Sequence, residues 1–535
     1  MTSLLPQRRG PRAASGSRRV VVVGGGIAGL ATAALLAAHG HSVDLLEKNE
    51  ELGGRVGSIE RDGFRFDTGA SWYLMPEVFE HFFALLGTSA AAELDLTVLD
   101  PSYRVFFEGH ERPLDIRPDR AHNRAVFEEV EPGAGQRFDD YLSSAQETYD
   151  IALRRFLYSN FDSSASFLRS DVLRRTPRLG QLLTRSLGSH VASRFQDDRL
   201  RQVLGYPAVF LGSSPSRAPS MYHLMSSLDL GDRVLYPQGG FTRLIEVVAD
   251  LARRHGARLH TATSVTRILT GPASRGARAS VRGVEHASPT GGTGTIEADV
   301  VVGAADLHHL ETQLLPAALQ SHPETAWRRR SPGPGAVLAM LGVEGALPEL
   351  SHHSLFFTSD WEQNFGDIFG AQARVPDPAS TYVCKPSATD PTVAPEGCEN
   401  LFVLVPVPAD TSIGAGGDDG AGSETVERAV DAAIDQVAGW AKVPDLRRRI
   451  RVRHTVGPAD FEQRYNSWRG GALGLEHTLR QSAFFRPGNV SSKVEGLFYA
   501  GASTVPGVGL PMCLISAELV LKRLSGDRSA GPVAP

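Results

Sequence analysis

The sequence predicts an α/β protein, α+β overall, whose central sheet is parallel and drawn from distant parts of the chain. Three observations predict it. Residues 18–48, RRVVVVGGGIAGLATAALLAAHGHSVDLLEK, pass from a β-branched block through glycines into an Ala/Leu helix, then into a second strand ending on an acid. After Tyr236-Pro237-Gln238-Gly239-Gly240, a helical run precedes strand and turn signals that close on IEADVVVGAAD. Near the C-terminus, Gly496-Leu497-Phe498-Tyr499-Ala500-Gly501 is again a hydrophobic strand entering a glycine turn before a helix. Cofactor-type pieces at the start, middle and end imply a Rossmann-like binding domain assembled from discontinuous segments.

The first piece is the most specific. Gly24-x-Gly26-x-x-Gly29 lies between strand and helix, and SVDLL then runs to Glu47. Gly24 permits the tight turn, Gly26 admits a pyrophosphate to the backbone, and Gly29 lets the helix lie close on the strand. The unpaired N–H groups and positive dipole end of that helix suit an anion. Glu47 stands where a carboxylate accepts the hydroxyls of an adenosine ribose. The same stretch also reads as an export signal, with a basic n-region and an apolar run over Val20–Ala38. Against this, the run changes period at the glycines, and a signal peptide has no use for a second strand. Residues 1–17, rich in Arg, Pro, Ser and Gly, read as a disordered tail.

Later elements extend the binding domain. Leu52-Gly53-Gly54-Arg55, followed by Asp67-Thr68-Gly69-Ala70, lets backbone run flat beside a ligand that the Arg55 guanidinium reaches. An ordinary Gly-Gly loop with a solvated arginine reads equally well. The segments ARLHTATSVTRIL, ARASVRGVEH and IEADVVVGAAD read as a meander returning to the first sheet. Gly501, then Pro511 and Met512 at the head of the last helix, offer a second place for phosphate or ring contacts. The expected division is 18–125, 230–320 and 466–525 for the binding domain. Residues 126–229 and 321–465 form a substrate- and membrane-facing domain with a helical part, and 526–535 a flexible tail. The 535 residues exceed one simple core. A net charge of −5 with mixed signs offers no basic stripe for nucleic acid. Cys384, Cys398 and Cys513 show neither zinc nor disulfide spacing, so each reads as a small buried hydrophobe in a reducing compartment, and no metal site is expected.

Taken together the segments resemble the bacterial carotenoid (phytoene) desaturases, within the flavin amine oxidase-like flavoproteins, from about residue 19 to 524. The narrower marks are Leu211-Gly212-Ser213-Ser214-Pro215 through Tyr222, Tyr236-Pro237-x-Gly239-Gly240, Gln481-Ser482-Ala483-x-Phe485-Arg486-Pro487 and Gly501-x-x-Thr504-x-Pro506-Gly507-x-Gly509-x-Pro511. The chain departs from the family at Thr504-Val505-Pro506-Gly507, Asp67-Thr68-Gly69-Ala70 and GDRVL of 231–235. The resemblance implies FAD as cofactor, an apolar polyene as substrate and desaturation as the reaction, most simply phytoene towards lycopene. Other carotenoid oxidoreductases or isomerases, a flavin amine oxidase and a non-enzymatic lipid-type carrier share the fold and stand as alternatives.

Desaturation of a polyene needs a hydride acceptor, loss of a proton from the adjacent carbon and a dry tunnel. The resemblance suggests an acid–base pair at Asp171 and Arg174, whose i, i+3 spacing shares one helical face. A surface salt bridge reads the same way. A water-insoluble substrate implies a cytoplasmic protein docked peripherally on a membrane. The helical stripe Val78, Phe82, Leu85 and Leu86 is one candidate contact, with core burial as its alternative.

Overall fold

The computed structural model describes residues 16–161, 182–272, 278–289 and 291–535. Asp171 and Arg174 lie outside the described residues, as does most of the N-terminal tail.

The valine block Arg19–Val23 is the middle strand of a five-stranded sheet, parallel throughout, in the order Leu497–Tyr499, Val300–Gly303, Arg19–Val23, Ser42–Leu46, Arg258–His260. Val20 to Val23 are all buried, because a central parallel strand has both faces covered; this explains why the run is continuous rather than alternating. The helix Ile27–Ala38 packs against the sheet, the helix Gly240–Arg254 and the C-terminal helix Leu510–Ser525. Enclosed on every side, it is apolar all round, and its alanines let its neighbours approach. The apolar run Val20–Ala38 is thus a strand and a helix packed into the core. Among the described residues no helix is long and apolar enough to cross a membrane.

The expected meander is present as Ser264–Thr270, Ala279–Ala287 and Thr293–Glu297, paired antiparallel before Val300–Gly303 returns to the first strand. A seven-stranded sheet stands beside it, in the order Ile450–Val456, Gly335–Glu344, Cys398–Val407, Thr381–Cys384, His353–Phe357, Tyr103–Phe107, Leu114–Ile116. Strands 103–107 and 114–116 thus belong with segments beyond 335, not with the parallel sheet. Period-two alternation splits the long strands. Val337, Ala339 and Leu341 pack under the helix Glu424–Trp440, while Ala336, Leu338 and Met340 face the other way. That second face closes the site described below.

Packing decides two further points. In the helix Pro76–Leu85, Val78 and Phe82 are buried in the core, as is Leu86 just beyond it, with Leu85 packed against them, so this stripe is core and not a membrane contact. The segment 526–535 is tied down: the buried Lys522 ammonium donates to the carbonyls of Tyr158, Ser529 and Gly531, and the Val533 N–H donates to Glu518 Oε1. A buried ammonium needs several acceptors, and the tail supplies two of them. The basic run 446–454 is also internally balanced. Arg447 pairs with Asp431 and Asp435, Arg451 with Glu344, Arg453 with Glu427 and Asp431, and His454 with Asp418.

Candidate active site

Two glycine turns lie back to back at the end of the parallel sheet. The Gly53 N–H donates to Gly25 O at 2.9 Å, and Gly26 bridges Gly53 in parallel register. Side chains would crowd these turns. A Cβ on Gly54, whose φ is +59°, would fall 3.3 Å from Gly26 Cα, and one on Gly53 2.4 Å from Val56 O. Behind the turn, a Cβ on Gly29 would meet Gly24 O at 1.9 Å, which is how tightly helix and strand pack. Gly26 differs: the only heavy atom near its Cβ would be Gly53 O at 3.8 Å, and the residue borders an open cavity.

That cavity measures about 570 Å³. Gly24, Gly26, Glu47, Gly54, Arg55, Gly501, Pro511 and Met512 all border it, so the structure gathers eight of the nine predicted cofactor residues at one place. Gly29, the ninth, sits behind the turn in the packing role expected of it. Glu47 is buried and already engaged: the Gly25 N–H donates to Oε2 at 2.7 Å, and the Asn49 N–H and amide donate to Oε1 at 2.9 and 2.8 Å. Two helices, Ile27–Ala38 and Leu510–Ser525, present their N-terminal ends to the cavity. Arg55 reaches across to Ser467 Oγ through Nη2 at 2.8 Å. Arg55 and Thr68 both border the cavity, and Arg55 Nε and Thr68 Oγ1 are buried without a hydrogen-bond partner. Orphaned buried donors beside an open Gly26 fit a polar, phosphate-bearing group.

Asp67 has a structural task the sequence did not show. Its carboxylate accepts from the Phe241 and Thr242 N–H groups at 2.8 and 3.2 Å and from Thr242 Oγ1 at 2.9 Å, capping the helix Gly240–Arg254. Gly240, with φ of +80°, is needed because a Cβ there would lie 2.7 Å from Asp67 Oδ2. The DTG and Tyr-Pro-x-Gly-Gly motifs are therefore two halves of one contact.

Away from the glycines the cavity becomes apolar and aromatic, bordered by Trp72, Tyr206, Phe210, Leu338, Tyr382 and Phe402. Trp72 stacks on His353 at 4.3 Å with an interplanar angle of 9°. The Tyr382 hydroxyl lies 2.7 Å from Ser71 Oγ and 2.8 Å from His353 Nδ1. Burial holds the His353 imidazole neutral and the Tyr382 phenol protonated. Tyr206 and Tyr103 both donate to Asp229 Oδ2, at 2.5 and 3.1 Å. Burial raises this carboxyl to about 7, although the two hydroxyls pull it down. Sequence reading missed these groups because residues 71, 353 and 382 lie far apart along the chain and meet only once it is folded. Cys384 and Cys513 are buried as expected, Cys398 only partly. Cys513 borders the cavity, and burial pushes its thiol up to about 12.

The whole arrangement has a counterpart among known proteins. Residues 27–520 match the family model described as flavin containing amine oxidoreductase. The chain belongs to that family. Within it, the flavoprotein groups with carotenoid desaturases: it is 41% identical to a carotenoid 3,4-desaturase of Haloarcula japonica over 95% of this chain and 98% of that one. It is 35% identical to a zeta-carotene-forming phytoene desaturase of Myxococcus xanthus over 96% and 95%. An oxidoreductase structure from Methanosarcina mazei shares the fold, with a TM-score of 0.58 at 16% identity over 94% of this chain and all of that one. The flavoprotein is an FAD-dependent oxidoreductase.

Proposed function

We propose that this enzyme desaturates a long polyene carotenoid precursor, most simply phytoene towards lycopene. One observation carries the reading furthest. A single cavity of about 570 Å³ joins the glycine cradle to a tract of aromatic and aliphatic side chains. Such a site suits a substrate recognised by length and apolarity rather than by polar contacts. The relatives named as carotenoid desaturases support it.

When bound, FAD supplies the hydride acceptor. In this reading Gly24 and Gly26 leave room for the pyrophosphate, Glu47 orients the ribose, and Arg55 with Gly54, Gly501, Pro511 and Met512 borders the rest of the cofactor. The aromatic tract holds one methylene pair in reach and keeps water from the allylic cation left when hydride departs. Loss of the neighbouring proton then leaves its electron pair as the new double bond. Asp171 takes that proton and Arg174 steadies the carboxylate. Asp171→Asn is expected to lower turnover per bound flavin by roughly 10²–10⁴-fold; unchanged turnover assigns the pair to a surface ion pair. The enzyme works in the cytoplasm on a membrane surface, where its substrate dissolves.

Expression in cells that accumulate phytoene, with pigments resolved by chromatography, tests the reaction. New desaturated pigment supports it, and unchanged phytoene refutes that substrate. The higher identity to a carotenoid 3,4-desaturase favours a second reading, in which the substrate is a carotenoid already partly desaturated. Cells accumulating lycopene form the second arm of the experiment.

A further inference from the structure

Among the described residues, the exposed large hydrophobic side chains are Val98, Leu479, Phe484 and Phe485, so three of them fall within one short loop. Phe484 and Phe485 are 52% and 54% exposed, with ring centroids 4.2 Å apart. Two single turns, Leu479–Gln481 and Ala483–Phe485, present them.

The loop is rigid from beneath. The Gln481 side chain accepts from the Ser331 N–H and donates to the carbonyls of Ser331 and Glu476. Ser482 Oγ donates to Thr478 O at 2.7 Å. The buried Arg486 guanidinium donates to the carbonyls of Leu475, Gln481, Ala502 and Thr504. The two phenyl rings are thus held outward by a fixed backbone, at a place where water solvates them poorly. Arg480, between the apolar residues, is exposed and matches an anionic headgroup. Ala483, immediately before the pair, borders the cavity.

We propose that residues 479–485 are the membrane-docking element: Leu479, Phe484 and Phe485 enter the boundary between headgroups and acyl chains, and Arg480 pairs with lipid phosphate. Docking there sets the Ala483 end of the cavity against the bilayer, so that a polyene passes from lipid to the site without crossing water. This rests on the polyene reading for its purpose, but it is tested separately.

The test uses the full-length FAD-loaded enzyme and vesicles of phosphatidylcholine with phosphatidylglycerol. The parent protein is expected to co-float. Phe484→Ser/Phe485→Ser, with unchanged flavin content and Tm, is expected to lose co-flotation about tenfold or more. Turnover from vesicles should fall with it, while turnover of detergent-dispersed polyene stays at the parental rate. The indole emission of Phe485→Trp should shift to the blue on adding vesicles. A double variant that co-floats like the parent overturns the assignment, as does one that leaves flotation unchanged but converts a dimer to a monomer. If the parent floats and the variant does not, yet neither acts on polyene in detergent, the docking element stands and the substrate reading falls.

Discussion

Gly26 and Gly29 lie three residues apart in one motif, yet the structure demands opposite outcomes from substituting them. At Gly26, φ is −71° and ψ 175°, which any residue adopts, and a Cβ would stand 3.8 Å from its nearest neighbour. Gly26→Val therefore costs the fold little, about 1 kcal/mol or less as an N-cap change, and places two methyl groups in the cavity. At Gly29 a Cβ would sit 1.9 Å from Gly24 O, more than 1 Å inside any allowed contact, so helix and strand must part. Overpacking costs about 1–3 kcal/mol and occasionally more, and a backbone clash this close belongs at the upper end, a large share of a typical total stability of roughly 5–15 kcal/mol. The assay is thermal unfolding with and without FAD, alongside the flavin spectrum of the purified protein. A ligand at a hundredfold excess over its Kd stabilises the folded state by about 2.7 kcal/mol, a shift of a few degrees in Tm. The parent should show that shift. Gly26→Val should melt near the apo parent and show none, and Gly29→Ala should melt well below it or fail to accumulate. A Gly26→Val protein that binds FAD normally, or a Gly29→Ala protein that melts with the parent, would refute the reasoning.

Arg55→Ala removes a charged side chain that borders the cavity and whose buried Nε has no hydrogen-bond partner. At about 1.5–3 kcal/mol for a charged hydrogen bond, FAD affinity should fall roughly 10- to 100-fold by titration. Asp229 gives a pH signature. The folded state holds its proton up to about 7, well above the unfolded value of about 3.9, so its protonated form favours folding below that lower value. This contribution, roughly 4 kcal/mol at most, is lost as pH rises from about 4 to 7. Asp229→Asn should flatten the decline in Tm over that window and melt above the parent at pH 8; parallel profiles would count against the buried proton.

Elements whose cause is local could be read directly from the chain. The valine strand, the glycine turn and the Ala-rich helix each follow from period and backbone freedom over a few residues. The meander closing on Val300–Gly303 was legible for the same reason. Groups that meet through tertiary register were not. Nothing near Asp67 announces that it caps a helix starting at Gly240, and the contact of Tyr382 with His353 depends on how strands 353–357 and 381–384 pair, with Ser71 brought to it from a distant loop. The stripe at Val78, Phe82 and Leu86 shows a further limit. Helical amphipathicity says that one face seeks apolar company but not whether protein or lipid supplies it, and here the protein does.

The order of strands in the parallel sheet has a consequence for how the enzyme is made. About 470 residues separate the first glycine turn from the edge strand Leu497–Tyr499, which completes the sheet. At 5–20 residues per second, a ribosome takes roughly half a minute to a minute and a half over that distance. Throughout it, Arg19–Val23 can pair with Ser42–Leu46 but lacks Val300–Gly303 for part of the time, and the cavity lacks its Gly501–Met512 wall until the end. A nascent or prematurely terminated chain therefore carries the glycine fingerprint without the wall that closes the cavity beside it. Closure of the cavity becomes a property that only a chain extended past Met512 can acquire.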